Sequence, residues 1–440
     1  MKEHLKDGVA RRELWSWALY DFANSGYTTV VLTAVFNAYF VSVIGAGSPY
    51  ATLWWTVVIA VSNVVSMTLM PVIGLLADAR AQKKRYLLVA TVLCILGTLG
   101  LMLTAEGTLL LAAVMIIVSN LGYNVGESLC SAFLPEIARE ESVGKVSGWG
   151  WSLGYMGGIV TLGLAIAWVQ YCTTQGWDTG IVVDGTLFIT ALVYAVAAAP
   201  IFLFLRERSQ PRLSNTRAGA REVFNDSFRE LRRTLGSLKD YRDFARLALC
   251  GFFYQAGVSV VITLSAVYAT AVMHFTTEDS LIMVCAVNVT AAVGAFAFGY
   301  IQDRIGHKPA LAITLCVWLL MVATASFATT TALFWVAANL AGIAMGSSQS
   351  AGRAMVALFA PQKRLAEFYS FWNMMLWLSA IVGPLTYGVM TAVFDNNHRL
   401  AILVTGLFFV AGLIVLKTIN IERGRAASGN AAAEPTGSKA

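Results

Sequence analysis

The sequence has little charge. Only 13% of its 440 residues are Asp, Glu, Lys or Arg, against roughly 25% in soluble globular proteins. Hydrophobic residues make up 57%, and the mean hydropathy is +0.67. A chain of this composition cannot cover itself with a water-soluble surface, so we expect a polytopic membrane protein.

Histidine and paired cysteine are also scarce. The four histidines (His4, His274, His307 and His398) lie in tails or predicted loops, and the six cysteines occur singly in or beside apolar segments. This pattern lacks the spacing of a metal site or a redox pair, and no Ser or Cys stands beside a plausible base. The sequence also has no Walker loop for ATP. We therefore expect no metal, no cofactor and no enzymatic activity, which argues against a membrane enzyme acting on lipid or acyl groups.

Long apolar runs replace the missing charge. Cut at Gly, Pro and charged clusters, they predict twelve membrane-spanning helices. The predicted spans are 15–43, 51–77, 86–104, 108–133, 145–171, 185–205, 244–273, 280–301, 309–328, 332–356, 366–392 and 398–418. The predicted domains are a cytoplasmic segment 1–14, a six-helix bundle 15–205, a cytoplasmic loop 206–243, a second six-helix bundle 244–420 and a disordered tail 421–440. Within the loop, 218–235 has a helical pattern.

The basic residues predict the orientation. With the N-terminus in the cytoplasm, 29 of the 31 Lys and Arg residues fall on the cytoplasmic side of these spans. Short cytoplasmic loops of membrane proteins carry such an excess, so both termini are expected in the cytoplasm. The net charge of +6 is therefore assigned to membrane orientation and not to nucleic-acid binding.

The two halves of the sequence repeat weakly. Asp303, in a loop after the eighth span, lies 225 positions beyond Asp78, which follows the second span. The stretch 126–135 after the fourth span matches 352–361 after the tenth, with an offset of 226. Duplicated six-helix halves are the sequence mark of a secondary transporter whose site lies between them.

These repeats carry a family resemblance. The loop 299–308 (GYIQDRIGHK), with a looser copy at 74–85, resembles the loop between the second and third helices of major facilitator transporters. The stretches 17–25 (WALYDFANS), 120–135 and 148–158 (GWGWSLGYMGG) are similar to the vacuole-effluxer branch, relatives of the permease that releases amino acids from fungal vacuoles. The resemblance implies an all-α polytopic membrane protein with the major facilitator fold, in which twelve helices form two pseudo-symmetric bundles. It also implies a small-molecule substrate, with amino acids as the candidate class.

Polar residues inside the spans are the candidate substrate and ion-coupling residues. In such a fold the first, fourth, seventh and tenth spans line the cavity, and a charge near the bilayer centre costs about 3 kcal/mol, so a functional role is the default hypothesis. Residues at helical spacing on one face are Asp21, Asn24 and Thr28; Asn120, Asn124 and Glu127; and Asn339, Gly346, Ser350 and Arg353. Weaker candidates are Tyr254, Gln255 and Ser259 in the seventh span, Trp149 and Tyr155 in the fifth, and Asn373 and Trp377 in the eleventh.

Glu127 and Arg353 occupy equivalent places in the two halves, so we expect them to form an ion pair across the pseudo-two-fold axis. A proton on Glu127 would then free Arg353 for an anionic substrate group. A static ion pair that only offsets desolvation is the alternative. Asp21 is the second candidate proton carrier, although a role in helix packing stays open for it.

A gate is expected on the cytoplasmic side. Asp78 and Asp303 are predicted to bind the N-termini of the eleventh and fifth helices, where the helix dipole favours an anion, and so to hold an outward-open state. The arginines and lysines of these two loops, among them Arg85 and Arg304, are expected to form ion pairs with Glu367 or Glu136. The glycine ladder in the fifth span at 150, 154 and 158 predicts close helix packing.

The sequence thus predicts a secondary active transporter that moves a small polar solute by alternating access, coupled to a proton. We expect a monomer in the cell (inner) membrane, in contact with lipid and without nucleic acid. A lipid or amphiphile flippase of the same fold and a non-transporting membrane sensor remain as alternatives.

Overall fold

The computed structural model of the protein describes residues 2–45, 50–209, 241–275, 277–395 and 397–429. These residues form helices, with one isolated β-bridge between Leu5 and Ala138. Twelve of the described helices are long and apolar enough to cross a membrane. They are α1 (Arg11–Ile44), α2 (Ala51–Arg80), α3 (Lys83–Gly100), α4 (Leu109–Ser131), α5 (Val143–Thr174), α6 (Thr179–Phe204), α7 (Arg242–Met273), α8 (Thr277–Ile305), α9 (His307–Phe327), α10 (Thr331–Phe359), α11 (Leu365–Val393) and α12 (His398–Lys417).

All twelve predicted spans are confirmed as helices, and most helices begin or end a few residues outside the apolar windows. The first helix starts at Arg11, before the predicted residue 15, and the sixth starts at Thr179, before residue 185. Polar end residues explain the difference, because they are excluded from a hydropathy window but still continue the backbone hydrogen-bond ladder. The helical pattern at 218–235 lies outside the described residues.

The sequence predicted a tail that is disordered from residue 421, and this prediction is wrong for the first residues of the tail. A short helix, Ile421–Ala427, begins with the side chain of Asn420 capping the backbone N–H of Arg423. Gly424 packs against the ring of Phe359 at the end of α10. Packing against the end of a membrane helix therefore orders a segment whose composition alone favours disorder.

The two bundles meet mainly along two pairs of helices, α5 with α8 and α2 with α11, with smaller contacts of α5 with α10 and α4 with α11. At the first crossing, a Cβ added to Gly148 would lie 2.5 Å from the carbonyl oxygen of Ala295 and 3.0 Å from the Cα of Gly299. Only glycine permits this approach of two backbones. The predicted close packing at Gly150 and Gly154 is likewise confirmed, against α1.

The first helix changes its hydrogen-bond pattern midway. Residues Thr28–Ala34 form a π-helix, and the N–H of Val35 donates to the carbonyl of Val30 at 2.9 Å. A second π-helical turn covers Phe40–Ile44. Such wider turns often occur at functional sites, and this one carries threonines that line the cavity described below.

Both described ends of the chain lie on one side of the helices. The N–H of Lys6 donates to the carbonyl of Ile137 beyond the end of α4, and the hydroxyl of Ser428 donates to the carbonyl of Leu358 at the end of α10. We call this side the terminal side and the other the opposite side.

Candidate functional site

A buried charge cluster lies where α1, α5 and α10 meet. The Nη1 of Arg353 donates to the Oδ2 of Asp21 at 2.8 Å, and both side chains are almost fully buried. Its other nitrogens donate to Ser147: Nε to the hydroxyl at 3.2 Å and Nη2 to the carbonyl at 2.9 Å. The guanidinium also lies over the rings of Trp17 and Trp151, at 4.9 and 5.1 Å from their centroids. Arg353 therefore connects its own bundle to both neighbouring helices of the other.

The expected pair between Glu127 and Arg353 is wrong, because the carboxylate partner of Arg353 is Asp21. The guanidinium reaches Asp21 beside Gly150, where an added Cβ would lie 2.6 Å from its Nη2. A glycine at this position of α5 leaves the path to α1 open. Glu127 instead accepts a hydrogen bond of 2.7 Å from the Nδ2 of Asn24.

Glu127 belongs to a chain of polar contacts inside the first bundle. The Oδ1 of Asn24 accepts a hydrogen bond from the hydroxyl of Tyr194 at 2.7 Å. That hydroxyl lies 3.4 Å from the hydroxyl of Tyr20, which contacts Thr91 at 2.8 Å. Asn24 thus has a partner on each side, and the network joins α1, α3, α4 and α6.

The sequence predicted that Asn120 and Asn124 line the cavity, and this prediction is wrong. Their Nδ2 atoms donate to the hydroxyls of Ser62 and Ser66, each at 2.9 Å. Four-residue spacing on both helices makes the two contacts repeat along the α2–α4 interface. Polar contacts between membrane helices hold them together, so these asparagines act in packing.

The remaining candidates divide between cavity and core. Thr28 and Gln255 line the cavity. Tyr254 is buried, Asn339 donates to a carbonyl of its own helix, and Ser350 accepts a hydrogen bond from a glutamine of α8. The last three do not line the cavity.

The cavity has a volume of about 400 Å³ and is lined by residues of both bundles. Polar residues in its lining are Ser25, Thr28, Thr29, Thr33, Tyr123, Trp151, Tyr155, Gln255, Ser265, Tyr268, Asn288, Gln349 and Tyr387. Its apolar lining includes Met283, Met321, Met345, Val260, Leu264 and Phe334. No Asp, Glu, Lys or Arg belongs to this lining within the described part of the chain. Trp151 contributes both to the cavity and to the face of Arg353, and so separates the cavity from the charge cluster.

Of the weaker candidates, Tyr155 lines the cavity, whereas Ser259, Trp149, Asn373 and Trp377 do not belong to its described lining. Most of the remaining lining was not predicted, because the polar pattern was compared mainly along four helices. Trp151, Asn288 and Met321 lie on α5, α8 and α9. Asn288 is a polar residue within an apolar run, and the same search applied to α8 would have found it. The aromatic and methionine residues have no such signal, since they also occur throughout the core.

The aspartates of the predicted gate have the expected contacts. The Oδ1 and Oδ2 of Asp303 accept hydrogen bonds from the N–H groups of Gly144 and Lys145 at 2.9 and 3.0 Å, at the start of α5. The Oδ2 of Asp78 accepts a hydrogen bond of 3.0 Å from the N–H of Glu367, at the start of α11. Each carboxylate thus bridges the bundles at a helix N-terminus, and the gating role stays a prediction.

The predicted ion pairs of this gate are confirmed for a loop lysine with Glu136 but not for Arg85 and Arg304. The side chains of Arg85 and Arg304 are exposed and form no ion pair within the described ranges. Instead Lys83 is buried, pairs with Glu136 and lies 3.9 Å from Asp78. A second ion pair at this gate joins Arg364 to Glu367 at 2.7 Å. The exposed arginines retain their hydration, whereas the buried lysine offsets neighbouring carboxylates.

These contacts close the terminal side, whereas the cavity lies toward the opposite side. Thr33 and Tyr268 lie in the later parts of α1 and α7, and Phe334 lies near the start of α10. All three positions are remote from the terminal side. Among the described residues no three His, Cys, Asp or Glu side chains are grouped as metal ligands would be.

Comparison with protein families shows one clear match. The model described as "Vacuole effluxer Atg22 like" matches residues 51–429. A Bacillus subtilis protein named as an uncharacterized MFS-type transporter is 27% identical, over 91% of this chain and 93% of its own length. Autophagy-related protein 22 of Candida glabrata is 22% identical, over 64% of this chain and 56% of its own length.

Solved structures share the fold at low sequence identity. The human organic anion transporter MFSD10 has a TM-score of 0.71 at 15% identity, covering 92% of this chain and 99% of that chain. A bacterial homologue of the iron transporter ferroportin in an outward-facing state has a TM-score of 0.69 at 15% identity, covering 93% and 99%. The proton:xylose symporter XylE has a TM-score of 0.68 at 15% identity, covering 93% and 94%. The described helices therefore have the twelve-helix major facilitator fold.

Proposed function

The chain belongs to the vacuole effluxer Atg22-like family of major facilitator proteins and is a secondary transporter, and from that premise we propose that it moves amino acids by proton-coupled alternating access. The proposal combines three features: the charge balance of the buried cluster, the closed terminal side and the composition of the cavity. The terminal side faces the cytoplasm in this proposal, the membrane is the cell membrane and the transporter acts as a monomer.

The observation that carries the proposal is a mismatch of charge. Asp21 and Glu127 lie near one guanidinium, that of Arg353, and the Oδ1 of Asp21 has no hydrogen-bond partner among the described residues. Two ionised carboxylates leave one excess negative charge away from water, which is costly. One proton on either carboxylate removes that excess. A site that gains a proton without moving a second ion is suited to proton coupling.

The contacts on the terminal side support the proposal of alternating access. To open it, α5 must separate from α8 and α2 from α11, so the hydrogen bonds of Asp303 and Asp78 must break. Arg353 spans the same interface deeper in the protein through Asp21 and Ser147. Protonation of Asp21 weakens its attraction to Arg353 and thereby favours separation of the bundles.

The cavity supports a small solute without net charge. Its 400 Å³ falls within the range of small-molecule pockets, about 300–1,000 Å³, and its described lining carries no charged side chain. A zwitterionic amino acid satisfies both conditions. The apolar share of the lining keeps an amphiphile as the second candidate, and the experiment below includes it.

The test is uptake of labelled amino acids into proteoliposomes, with and without an imposed proton gradient. Wild-type protein is expected to accumulate at least one amino acid only when the gradient is present. Glu127→Gln and Asp21→Asn are each expected to abolish accumulation, and at least one of them to retain exchange across equal concentrations, because exchange needs no net proton movement. Glu106→Gln removes an exposed carboxylate and serves as the matched control, with uptake unchanged.

Three outcomes would contradict parts of this proposal. Accumulation by both carboxylate variants would refute coupling through the buried cluster. Translocation of a fluorescent lipid without any amino acid would favour the flippase. Saturable amino acid binding without passage, in protein shown to be folded, would favour the sensor.

A further inference from the structure

Two buried polar atoms in the cavity lining lack partners. They are the Nε1 of Trp151 and the Oε1 of Gln255; neither has a hydrogen-bond partner in the described part of the chain. Buried polar groups in proteins are nearly always paired, and an unpaired one in a cavity points to a missing ligand. The first atom can only donate a hydrogen bond and the second can only accept one.

The two atoms stand in different electrostatic surroundings. Trp151 lies against the guanidinium of Arg353, at 5.1 Å from its ring centroid, and one proton on the cluster removes its excess negative charge. The indole N–H then suits a carboxylate, because charge-assisted hydrogen bonds are the stronger ones. Gln255 lies on α7, with only 9% of its surface exposed. Its oxygen suits a positively charged donor, because charge-assisted hydrogen bonds are the stronger ones.

Trp151 and Gln255 belong to different six-helix bundles, on α5 and α7. A ligand that pairs both atoms therefore contacts both halves of the transporter. Met345 and Tyr155 contribute apolar and aromatic surface to the same lining. Such surface accommodates an aromatic or aliphatic side chain.

We propose that Trp151 and Gln255 are the residues that orient the solute, the indole N–H donating to its carboxylate and the glutamine oxygen accepting from its ammonium group. This rests on the proposed amino acid transport and adds the residues that recognise the two ends of the molecule. Binding of the solute gives both unpaired groups a hydrogen-bond partner at once and links the two bundles. A compound with only one of the two ends leaves one group unpaired and binds more weakly.

The test is calorimetric binding to the purified full-length protein without any gradient, using L-phenylalanine, phenethylamine and 3-phenylpropanoate. These share a ring, but the second lacks the carboxylate and the third lacks the ammonium group. Trp151→Phe is expected to weaken the binding of L-phenylalanine and 3-phenylpropanoate by about tenfold, because one hydrogen bond to a charged group is lost. The binding of phenethylamine is expected to stay unchanged. Gln255→Leu is expected to weaken the binding of L-phenylalanine and phenethylamine by a similar factor and to leave the binding of 3-phenylpropanoate unchanged.

The matched control is Trp168→Phe. Trp168 does not belong to the cavity lining, and its N–H donates to the carbonyl of Val182 at 3.1 Å, so all three affinities are expected to stay unchanged. Gln255→Glu keeps the acceptor oxygen and is expected to retain amine binding even if Gln255→Leu does not fold.

Equal losses for all three compounds in Trp151→Phe, or equal losses in Trp151→Phe and Trp168→Phe, would overturn the assignment. Failure of wild-type protein to bind L-phenylalanine would overturn it as well. Proton coupling is not involved in this measurement. Gradient-driven amino acid uptake together with the wrong binding pattern therefore refutes these two residues alone, whereas the expected pattern without gradient-driven uptake refutes the proposed coupling alone.

Discussion

At the scale of single residues, Arg353 reaches from α10 across the interface between the bundles and ends between two indole rings. Asp21 provides its only carboxylate within the described ranges, and Ser147 provides two further acceptors. A buried ion pair gives little net stability compared with an apolar pair, but removal of one partner leaves an unpaired buried charge. The two partners are therefore expected to depend on each other.

Arg353→Met is predicted to destabilise the protein by about 3–5 kcal/mol, because the buried Asp21 loses its counter-ion. The double variant Asp21→Asn with Arg353→Met is expected to recover most of that loss, since the carboxylate that Arg353 paired with is removed as well. The measurement is the thermal unfolding midpoint of the full-length protein in detergent. Equal midpoints for the single and double variants would show that the pair is not coupled.

At the scale of helices, glycine determines where the bundles touch. Gly148 on α5 faces the backbone of α8, whereas Gly163 on the same helix has no atom within 4 Å of an added Cβ. The terminal side is closed by this crossing together with the aspartates that bind helix N-termini. Changes to either feature should therefore alter the balance between conformations without touching the cavity.

Gly148→Val is predicted to separate the terminal ends of α5 and α8, because its side chain would overlap the carbonyl of Ala295 and a packed backbone cannot yield cheaply. Spin labels on cysteines placed at the exposed positions Glu141 and Arg304, in a background free of the native cysteines, would report a longer distance. Gly163→Val is the control for the added volume and should leave the distance unchanged.

Asp303→Ala is predicted to reduce the population closed on the terminal side by about tenfold. The N-terminus of α5 loses a charge-assisted partner, and hydrogen bonds to a charged group contribute about 1.5–3 kcal/mol. Asp303→Asn keeps one acceptor and should have a smaller effect. Labels at Arg85 and Lys363, both exposed, would measure the distance between the start of α3 and the turn before α11. An unchanged distance distribution in the alanine variant would rule out a latch at this position.

At the scale of the whole molecule, most of the basic residues and the closed helix crossings lie on one side of the membrane, and the cavity lies toward the other. The terminal side carries the described chain ends and the closed helix crossings, and the cavity lies toward the opposite side. In the sequence 29 of the 31 basic residues fall in segments predicted for that same terminal side. Basic residues near helix ends are retained in the cytoplasm during insertion, which predicts the direction in which this cavity faces.

A fluorescent protein fused after residue 440 is predicted to fluoresce in a bacterial host, and an alkaline phosphatase fused after Trp177 is predicted to be active. The fluorescent protein folds only in the cytoplasm, and the phosphatase is active only outside it. Together they would place residue 440 and the loop between α5 and α6 on opposite sides of the membrane, as expected if the terminal side faces the cytoplasm. An active phosphatase at residue 440 would reverse the assigned orientation.

The sequence by itself determined the twelve membrane helices, their division into two sets of six and the contacts of Asp78 and Asp303 with helix N-termini. These follow from local causes: the length of an apolar run is set by the thickness of the bilayer, and the repeated loops mark equivalent places in the two halves. The close packing of α5 through its glycines was predictable for the same reason, since small residues at four-residue spacing share one helix face.

Only the tertiary structure decided which side chains meet. Arg353 pairs with Asp21 and not with Glu127, and Asn120 bonds to α2 and does not line the cavity. Helical periodicity groups residues on a face, but the rotation of each helix and the space left by Gly150 select the neighbour that this face contacts. The lining from α5, α8 and α9 depends in the same way on how the two bundles are placed against each other, a relation between residues far apart in the chain.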